Sequence, residues 1–109
     1  MDEYIISYIN NNYRFATLEE LSRQLLKPAT TVSRYIKKMS GCNFNELVKR
    51  KRFHKAASLL EKTDMSILDI MHAVGYENSS YFYKTFRKKY GMSPREYRAE
   101  HKNDELLRV

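Results

Sequence analysis

The sequence predicts an all-α fold of about seven helices in a chain of 109 residues. Apolar residues recur three or four positions apart in short segments, which is the spacing of amphipathic helices. No stretch alternates apolar and polar residues with the period of two that marks a strand. Hydrophobic residues make up 42% of the chain, with only three glycines and two prolines. This composition argues against disorder and favours helices.

The first 28 residues predict two short helices. A helix from about Asp2 to Asn11 carries acidic residues in its first turn, where the helix dipole favours them. The next helix begins with a capping box, in which the Thr17 hydroxyl and the Glu20 carboxylate each accept from a free backbone amide. Pro28 then marks a turn.

The middle of the chain predicts two longer helices. The first covers residues 29–40 and ends at Gly41, since glycine readily adopts a left-handed C-cap. Asn43 and Glu46 cap the second, which runs to about Lys62.

The following segment predicts a short helix, a turn and a longer helix. Ser66 begins the short helix and Gly75 makes the turn. Either Asn78 or Ser79 caps the longer helix, which covers residues 79–90.

A second capping box begins the last helix. Ser93 and Glu96 form the box, and Pro94 occupies the first helical position, where proline is well tolerated. We expect residues 99–109 to form a charged tail.

The two halves of the chain repeat each other. Residues 17–25 match residues 66–74 at an offset of 49, and beyond the turn the offset is 50. The repeat includes outward cations that core packing does not require: Arg34 with Lys84, Lys37 with Arg87, and Lys38 with Lys88. Each copy has a short helix, a turn and a cationic helix, which is the outline of a helix-turn-helix.

The repeat predicts the organisation of the domain. Two helix-turn-helix subdomains, residues 13–42 and 64–98, are joined by a long central helix over residues 43–63. About 20 helical residues span roughly 30 Å. This length suits two recognition helices in successive major-groove segments, which lie about 34 Å apart.

The charge distribution favours a polyanionic partner. The net charge of +7 divides into −2 over residues 1–26, +8 over residues 27–63 and +1 over residues 64–109. The apolar runs are too short for a membrane span, and the acidic N-terminus does not resemble a signal peptide. The single cysteine, Cys42, suits a reducing compartment, so we expect a cytoplasmic location.

The sequence gives no pattern typical of an enzyme or a cofactor site. It has no Ser/His/Asp set and no phosphate-binding glycine loop. Asp69 and His72 share a helix face, but zinc would need two more ligands. We therefore expect no catalytic residue, no cofactor and no metal.

The chain resembles the DNA-binding domain of the AraC/XylS family of transcription regulators over about residues 2–98. The resemblance rests on motif residues whose type and spacing agree with the family: Ile67, Ile70, Gly75-Tyr76, Phe82, Phe86-Arg87, Gly91, Ser93-Pro94 and Tyr97-Arg98. It implies binding of double-stranded DNA by a bacterial-type regulator, commonly an activator. The isolated domain would be monomeric, with RNA polymerase as a further partner. The chain would be either a stand-alone regulator or the C-terminal part of a larger one that carries an effector or dimerisation domain.

The resemblance also implies which residues meet DNA. Those at the positions of the family's base readers are Thr30, Thr31, Ser33, Arg34, Ser79, Ser80, Tyr81 and Lys84. Residues placed to contact the DNA backbone are Thr17, Lys37, Lys38, Ser66, Tyr83, Arg87 and Lys88. For Lys84 a phosphate contact is the alternative to base readout. For Tyr81 and Tyr83 the choice is between DNA contact and plain surface packing.

The chain departs from the family pattern at three places. Met71 occupies a helix crossing where alanine is usual, and Ile36 replaces the usual phenylalanine. Lys27-Pro28 replaces a small turn residue and a serine cap, so the third helix starts at Pro28 or two residues later. The alternative function is a helical protein-interaction module of the transcription machinery, in which DNA contact is incidental. Under that interpretation the outward cations meet acidic protein surfaces.

Overall fold

The computed structural model describes residues 1–107, with side chains through residue 102, and its helices account for most of that range. The helices are α1 (Asp2–Asn12), α2 (Leu18–Leu25), α3 (Ala29–Ser40), α4 (Phe44–Lys62), α5 (Ile67–Ala73), α6 (Ser79–Tyr90) and α7 (Pro94–Leu107). No residue in the described part of the chain lies in a strand, so the all-α prediction is confirmed. Where the sequence predicted a limit of one of the first six helices, the structure agrees with it to within about a residue. The seventh runs on to Leu107, where the sequence predicted a charged tail from residue 99.

The chain divides into two compact units. The first is Met1–Arg52, and the second begins at Phe53. The division falls within α4, so the first turns of this helix belong to one unit and its later turns to the other. Each unit therefore contains its own helix-turn-helix pair, α2–α3 or α5–α6.

The first unit is built on an aliphatic core. Residues from α1, α2, α3 and the start of α4 pack together because each helix turns its apolar stripe inward. The buried members of this cluster are Ile5, Tyr8, Ile9, Leu21, Val32, Ile36, Phe44 and Val48. Ile36 thus fills a core position despite its departure from the family pattern.

The capping box at the start of α2 forms only in part. The Thr17 hydroxyl accepts from the Glu20 amide at 3.1 Å, as the sequence predicted. The predicted reciprocal bond, from the Thr17 amide to the Glu20 carboxylate, is wrong. The Thr17 amide instead donates to the Tyr8 hydroxyl at 3.1 Å. That hydroxyl donates in turn to the Thr17 carbonyl at 3.2 Å. Glu20 pairs with Arg23 and Gln24 on its own helix.

The second unit is built on an aromatic core. Phe53 lies at its centre and is fully buried, with its ring 5.4 Å from Phe82 and 6.5 Å from Phe86. The ring pairs continue outward from Phe86 to Tyr90 at 4.5 Å and to Tyr97 at 5.4 Å. Phe53 is not among the residues that the sequence analysis singled out.

An arginine closes the end of a helix in each unit. In the first unit, the Arg52 guanidinium donates to the carbonyls of residues 13 and 14 just beyond α1, at 2.7 and 3.1 Å. In the second, Arg98 donates to the carbonyls of Leu60 and Thr63 at the end of α4, at 3.1 and 3.2 Å. Carbonyls at helix ends have no partner within the helix, so each guanidinium satisfies two of them.

The turns that follow α2 and α5 have the same hydrogen bonding. The Lys27 amide donates to the Ser22 carbonyl at 3.1 Å, and the Tyr76 amide donates to the Met71 carbonyl at 3.0 Å. Both bonds reach back five residues, as in a Schellman motif. The repeat seen in the sequence is therefore present in the backbone.

The two turns differ in the residue that adopts positive φ. In the second unit it is Gly75, with φ of 101°, but in the first it is Leu26, with φ of 56°. The Leu26 side chain is 91% exposed. The helix crossings differ as well, because buried Met71 takes the place that the smaller Ser22 holds in the first unit. The fold accommodates the bulky Met71 in its interior.

Candidate nucleic-acid interface

The predicted base readers of the first unit lie on the outer face of α3. Thr30, Thr31 and Arg34 are exposed, and Ser33 is half-buried. The helix begins at Ala29 with Pro28 as its N-cap, which resolves the ambiguity in where it starts. Proline has no side-chain acceptor, so no side chain caps the first turn.

The predicted base readers of the second unit lie at the start of α6. Ser79, Ser80, Tyr81 and Lys84 are all exposed. Asn78 is the cap, since its side-chain oxygen accepts from the Tyr81 amide at 3.0 Å. The start of α6 is therefore held by a side chain, unlike the start of α3.

A groove lies beside the readers of the first unit. It has a volume of about 310 Å³ and is lined by Leu18, Ala29, Thr30, Ser33 and Arg34. A second groove of about 350 Å³ shares Leu18 and Ser33 with the first and extends to the starts of α2 and α4. Hydroxyls, a guanidinium and the ends of two helices thus line a continuous surface, a combination that suits phosphate oxygens or base edges.

Three of the residues predicted to contact the DNA backbone already form hydrogen bonds within the protein. The hydroxyls of Thr17 and Ser66 accept from amides in the first turns of α2 and α5, at 3.1 and 3.0 Å. The Lys37 ammonium donates to the Gly41 carbonyl at 3.0 Å, at the end of its own helix. Each hydroxyl keeps its hydrogen for a further acceptor, and the ammonium keeps two more donors.

The other predicted backbone contacts are exposed side chains on the same two helices. Lys38 lies on α3, and Tyr83, Arg87 and Lys88 lie on α6. Both helices end in basic residues, which also suits the negative end of a helix dipole. In each unit, the predicted base readers and the exposed cations lie on the same helix, which is α3 in the first unit and α6 in the second.

The largest pKa shift in the second unit belongs to Tyr97. Burial, followed by the nearby Glu61 carboxylate, raises the pKa of Tyr97 to about 12. Its hydroxyl donates to that carboxylate at 3.0 Å, and its ring stacks on His101 at 3.8 Å. These residues join α7 to the end of α4, and none of them is a predicted reader. The shift is explained by packing between these two helices.

The described part of the chain holds neither a cluster of metal ligands nor a helix that could span a membrane. Among the side chains that the structure describes, through residue 102, no three His, Cys, Asp or Glu come together as metal ligands. No helix in that range combines the length and apolar character needed to cross a membrane.

Two aromatic residues lie behind α6 that the sequence did not assign to DNA contact. Tyr76 lies in the turn before α6, with its ring 5.6 Å from that of Tyr81. Behind Tyr76, the Phe53 ring lies at 5.1 Å. The sequence marks Tyr76 only as the aromatic residue that follows Gly75. Such a residue indicates packing and does not indicate a role at the surface.

Comparison with known proteins identifies relatives along most of the chain. The family model described as a helix-turn-helix domain matches residues 18–100. The HTH-type transcriptional activator RhaS of Mannheimia succiniciproducens is 33% identical over 95 residues, which cover 86% of this chain and 35% of the activator. The chain therefore spans only about a third of that relative's length.

Two solved structures share the fold. The C-terminal domain of the two-component response regulator yesN from Fusobacterium nucleatum superposes with a TM-score of 0.79 at 33% identity, covering 89% of this chain and 96% of that domain. The DNA-binding domain of AdpA, solved in complex with a target DNA, superposes with a TM-score of 0.82, covering 94% of this chain and 93% of that domain. Its identity is 21%, so it supports the fold alone.

Proposed function

Because this chain belongs to the AraC-type helix-turn-helix family of transcription regulators, we propose that it binds double-stranded DNA sequence-specifically and is the DNA-reading domain of a regulator. We propose further that α3 and α6 are its two recognition helices and occupy successive major-groove segments. The experiments below also test the alternative function, a protein-interaction module.

One observation carries the proposal. Cations at equivalent positions of α3 and α6 are exposed in both units: Arg34 and Lys84, Lys37 and Arg87, Lys38 and Lys88. Packing of the core does not require exposed charges to be duplicated. A double helix, in contrast, repeats the same phosphate and groove geometry in each major-groove segment, while its base edges vary with sequence.

We assign base readout to the first two turns of each helix. In α3 these residues are Thr30, Thr31, Ser33 and Arg34, and in α6 they are Ser79, Ser80, Tyr81 and Lys84. An arginine can donate two hydrogen bonds to a guanine, which is worth about 1–3 kcal/mol of discrimination. The cations further along each helix, together with Thr17, Ser66 and Tyr83, are assigned to phosphates.

The family relatives suggest how the domain is used. RhaS is named as an activator and is about two and a half times as long as the present chain. We propose that a regulatory domain and RNA polymerase are partners of this DNA-reading domain in the working regulator.

The proposal is tested by selecting binding sites from random double-stranded DNA. We expect an enriched sequence with two half-sites and an affinity that falls steeply with salt, since phosphate contacts release counterions. Arg34→Ala should flatten base preference in one half-site and Lys84→Ala in the other, with losses of about 5- to 150-fold on the preferred sequence.

Two control variants separate readout from general attraction. Lys88→Ala should weaken binding to all sequences alike and reduce the salt slope by about one. Lys62→Ala removes an exposed cation that lies outside the recognition helices, and it should leave base preference intact. If no sequence is enriched, or if Arg34→Ala and Lys84→Ala both leave the footprint unchanged, the two-helix proposal is wrong. Salt-insensitive capture of a protein in place of DNA would favour the interaction module.

A further inference from the structure

We propose that Tyr76 is a positioning residue for the second recognition helix, because its ring holds Tyr81 in the orientation with which Tyr81 meets DNA. This inference rests on the proposed function and adds a specificity-determining residue that lies outside the recognition helix itself. It concerns residues of the second unit only.

Tyr76 is fixed from behind by buried rings. Its ring centroid lies 5.1 Å from that of Phe53 and 6.1 Å from that of Phe82, and both phenylalanines are fully buried. The Tyr76 amide also donates to the Met71 carbonyl at 3.0 Å. Both the backbone and the side chain of Tyr76 are therefore anchored to the core of the unit.

Tyr76 in turn contacts an exposed residue of the recognition helix. Its ring lies 5.6 Å from the Tyr81 ring, with 51° between the two planes. This geometry falls within the range of favourable aromatic pairs. Tyr81 is 43% exposed, so one part of its side chain meets Tyr76 while the rest faces solvent.

Two contacts help to fix Tyr81. Asn78 holds its backbone amide at 3.0 Å, and Tyr76 holds its ring. An exposed tyrosine without such support samples several rotamers, and binding must select one of them at a cost in entropy. An aromatic pair of ordinary strength favours one rotamer by about 2- to 12-fold. Tyr76 thus prepares Tyr81 for contact before DNA arrives.

Tyr83 provides a matched comparison on the same helix. It is 41% exposed, nearly the same as Tyr81, and it lies two positions further along α6. Its ring meets the edge of Phe82 at a centroid distance of 6.0 Å. The loss of the Tyr76 ring should therefore affect Tyr81 and leave Tyr83 unchanged.

The first experiment measures side-chain order in the free protein. Three-bond NMR couplings report the χ1 rotamers of Tyr81 and Tyr83 in the wild type, in Tyr76→Leu and in Tyr76→Phe. We expect one dominant Tyr81 rotamer in the wild type and in Tyr76→Phe, and rotamer averaging in Tyr76→Leu, with Tyr83 unchanged throughout. A dominant Tyr81 rotamer that persists in Tyr76→Leu would overturn the proposal. The Tyr76→Phe variant keeps the test valid if Tyr76→Leu folds poorly, since it must behave as the wild type.

The second experiment is a double-mutant cycle on binding to the selected DNA site. Tyr76→Leu should reduce base preference in the second half-site by about 2- to 12-fold, and Tyr76→Phe should retain it. The double variant with Tyr81→Ala should lose no more than Tyr81→Ala alone, whereas the losses of Tyr76→Leu and Tyr83→Ala should add.

The outcomes distinguish this inference from the proposed function. If Tyr81→Ala and Tyr76→Leu act additively while Lys84→Ala still flattens the second half-site, DNA reading stands and the role of Tyr76 is refuted. If Tyr81→Ala leaves base preference unchanged, the role of Tyr76 is refuted as well. If neither Lys84→Ala nor Arg34→Ala alters binding, the proposed function fails and the inference fails with it.

Discussion

Replacing Leu26 with glycine should stabilise the protein. Leu26 has a left-handed φ of 56°, where the Cβ of any residue except glycine is crowded by the backbone. The side chain is 91% exposed, so its removal sacrifices almost no burial. The second unit places Gly75 at the equivalent position. The substitution therefore gives the first turn the residue that the second turn already has.

The size of the effect follows from two opposing contributions. A left-handed conformation costs a residue with a Cβ about 1–2 kcal/mol. Glycine gains conformational freedom in the unfolded chain, which opposes the relief by about 0.5–1 kcal/mol. The expected net gain is about 0.5–1 kcal/mol in the free energy of unfolding, or roughly 2–8 °C in Tm for a chain of this size.

Urea denaturation of three variants isolates the cause. Leu26→Ala removes most of the side chain but keeps the Cβ, so it should remain close to the wild type. Leu26→Gly should exceed it, and Gly75→Ala, the converse change, should lower the free energy of unfolding by about 0.5–1 kcal/mol. If Leu26→Gly is no more stable than Leu26→Ala, the backbone of the first turn is not strained and the reasoning is refuted.

Three further predictions concern the interior of each unit. Arg98→Met removes two donors to helix-end carbonyls and should lower the free energy of unfolding by about 1.5–3 kcal/mol in urea; an unchanged midpoint would contradict this. Spectrophotometric titration should show Tyr97 ionising near pH 12, and Glu61→Gln should lower its pKa. Because the folded pKa lies above the unfolded value of about 10, the stability linked to this group is present below pH 10 and is lost as the pH rises through 12. Ser22→Ala removes a buried hydroxyl that has no hydrogen-bond partner within the described residues, so it should stabilise by about 1 kcal/mol; destabilisation would show that the hydroxyl is bonded.

Helix limits were predictable because short-range chemistry determines them. Ser66 caps its helix within three residues, and Ser93 and Glu96 form the predicted box with both bonds in place. The predicted capping box at Thr17 forms only in part, because a residue distant in sequence takes the place of one partner. The Tyr8 hydroxyl reaches the Thr17 amide from α1, and local spacing cannot anticipate such a contact.

The core of the second unit was harder to predict. Phe53 lies on a helix that serves both units, so the buried residues of α4 do not follow one stripe. Val48 packs in the first unit and Leu60 is buried in the second. A single amphipathic pattern therefore does not describe α4, and the burial of Phe53 could not be predicted from it.

The sequence predicted which residues of the candidate interface are exposed, but it did not predict the residues that pack behind them. Helical spacing alone placed Arg34 and Lys84 on outer faces, as the structure has them. The ring of Tyr76 behind Tyr81 depends on the geometry of a turn, which spacing does not specify. The positive φ of Leu26 was equally hidden, because leucine gives no local sign of it, although the repeat aligned it with Gly75.

The difference in capping between α3 and α6 has a consequence for motion. The longer second turn allows Asn78 to hold the first turn of α6, whereas α3 begins after Pro28 without a side-chain cap. The first turn of α3 should therefore fray and re-form more often, and amide hydrogen exchange at Thr31 should outpace exchange at Tyr81. If both helices bind DNA as proposed, the first turn of α3 must lose more conformational entropy on binding than the first turn of α6, which is already ordered in the free protein.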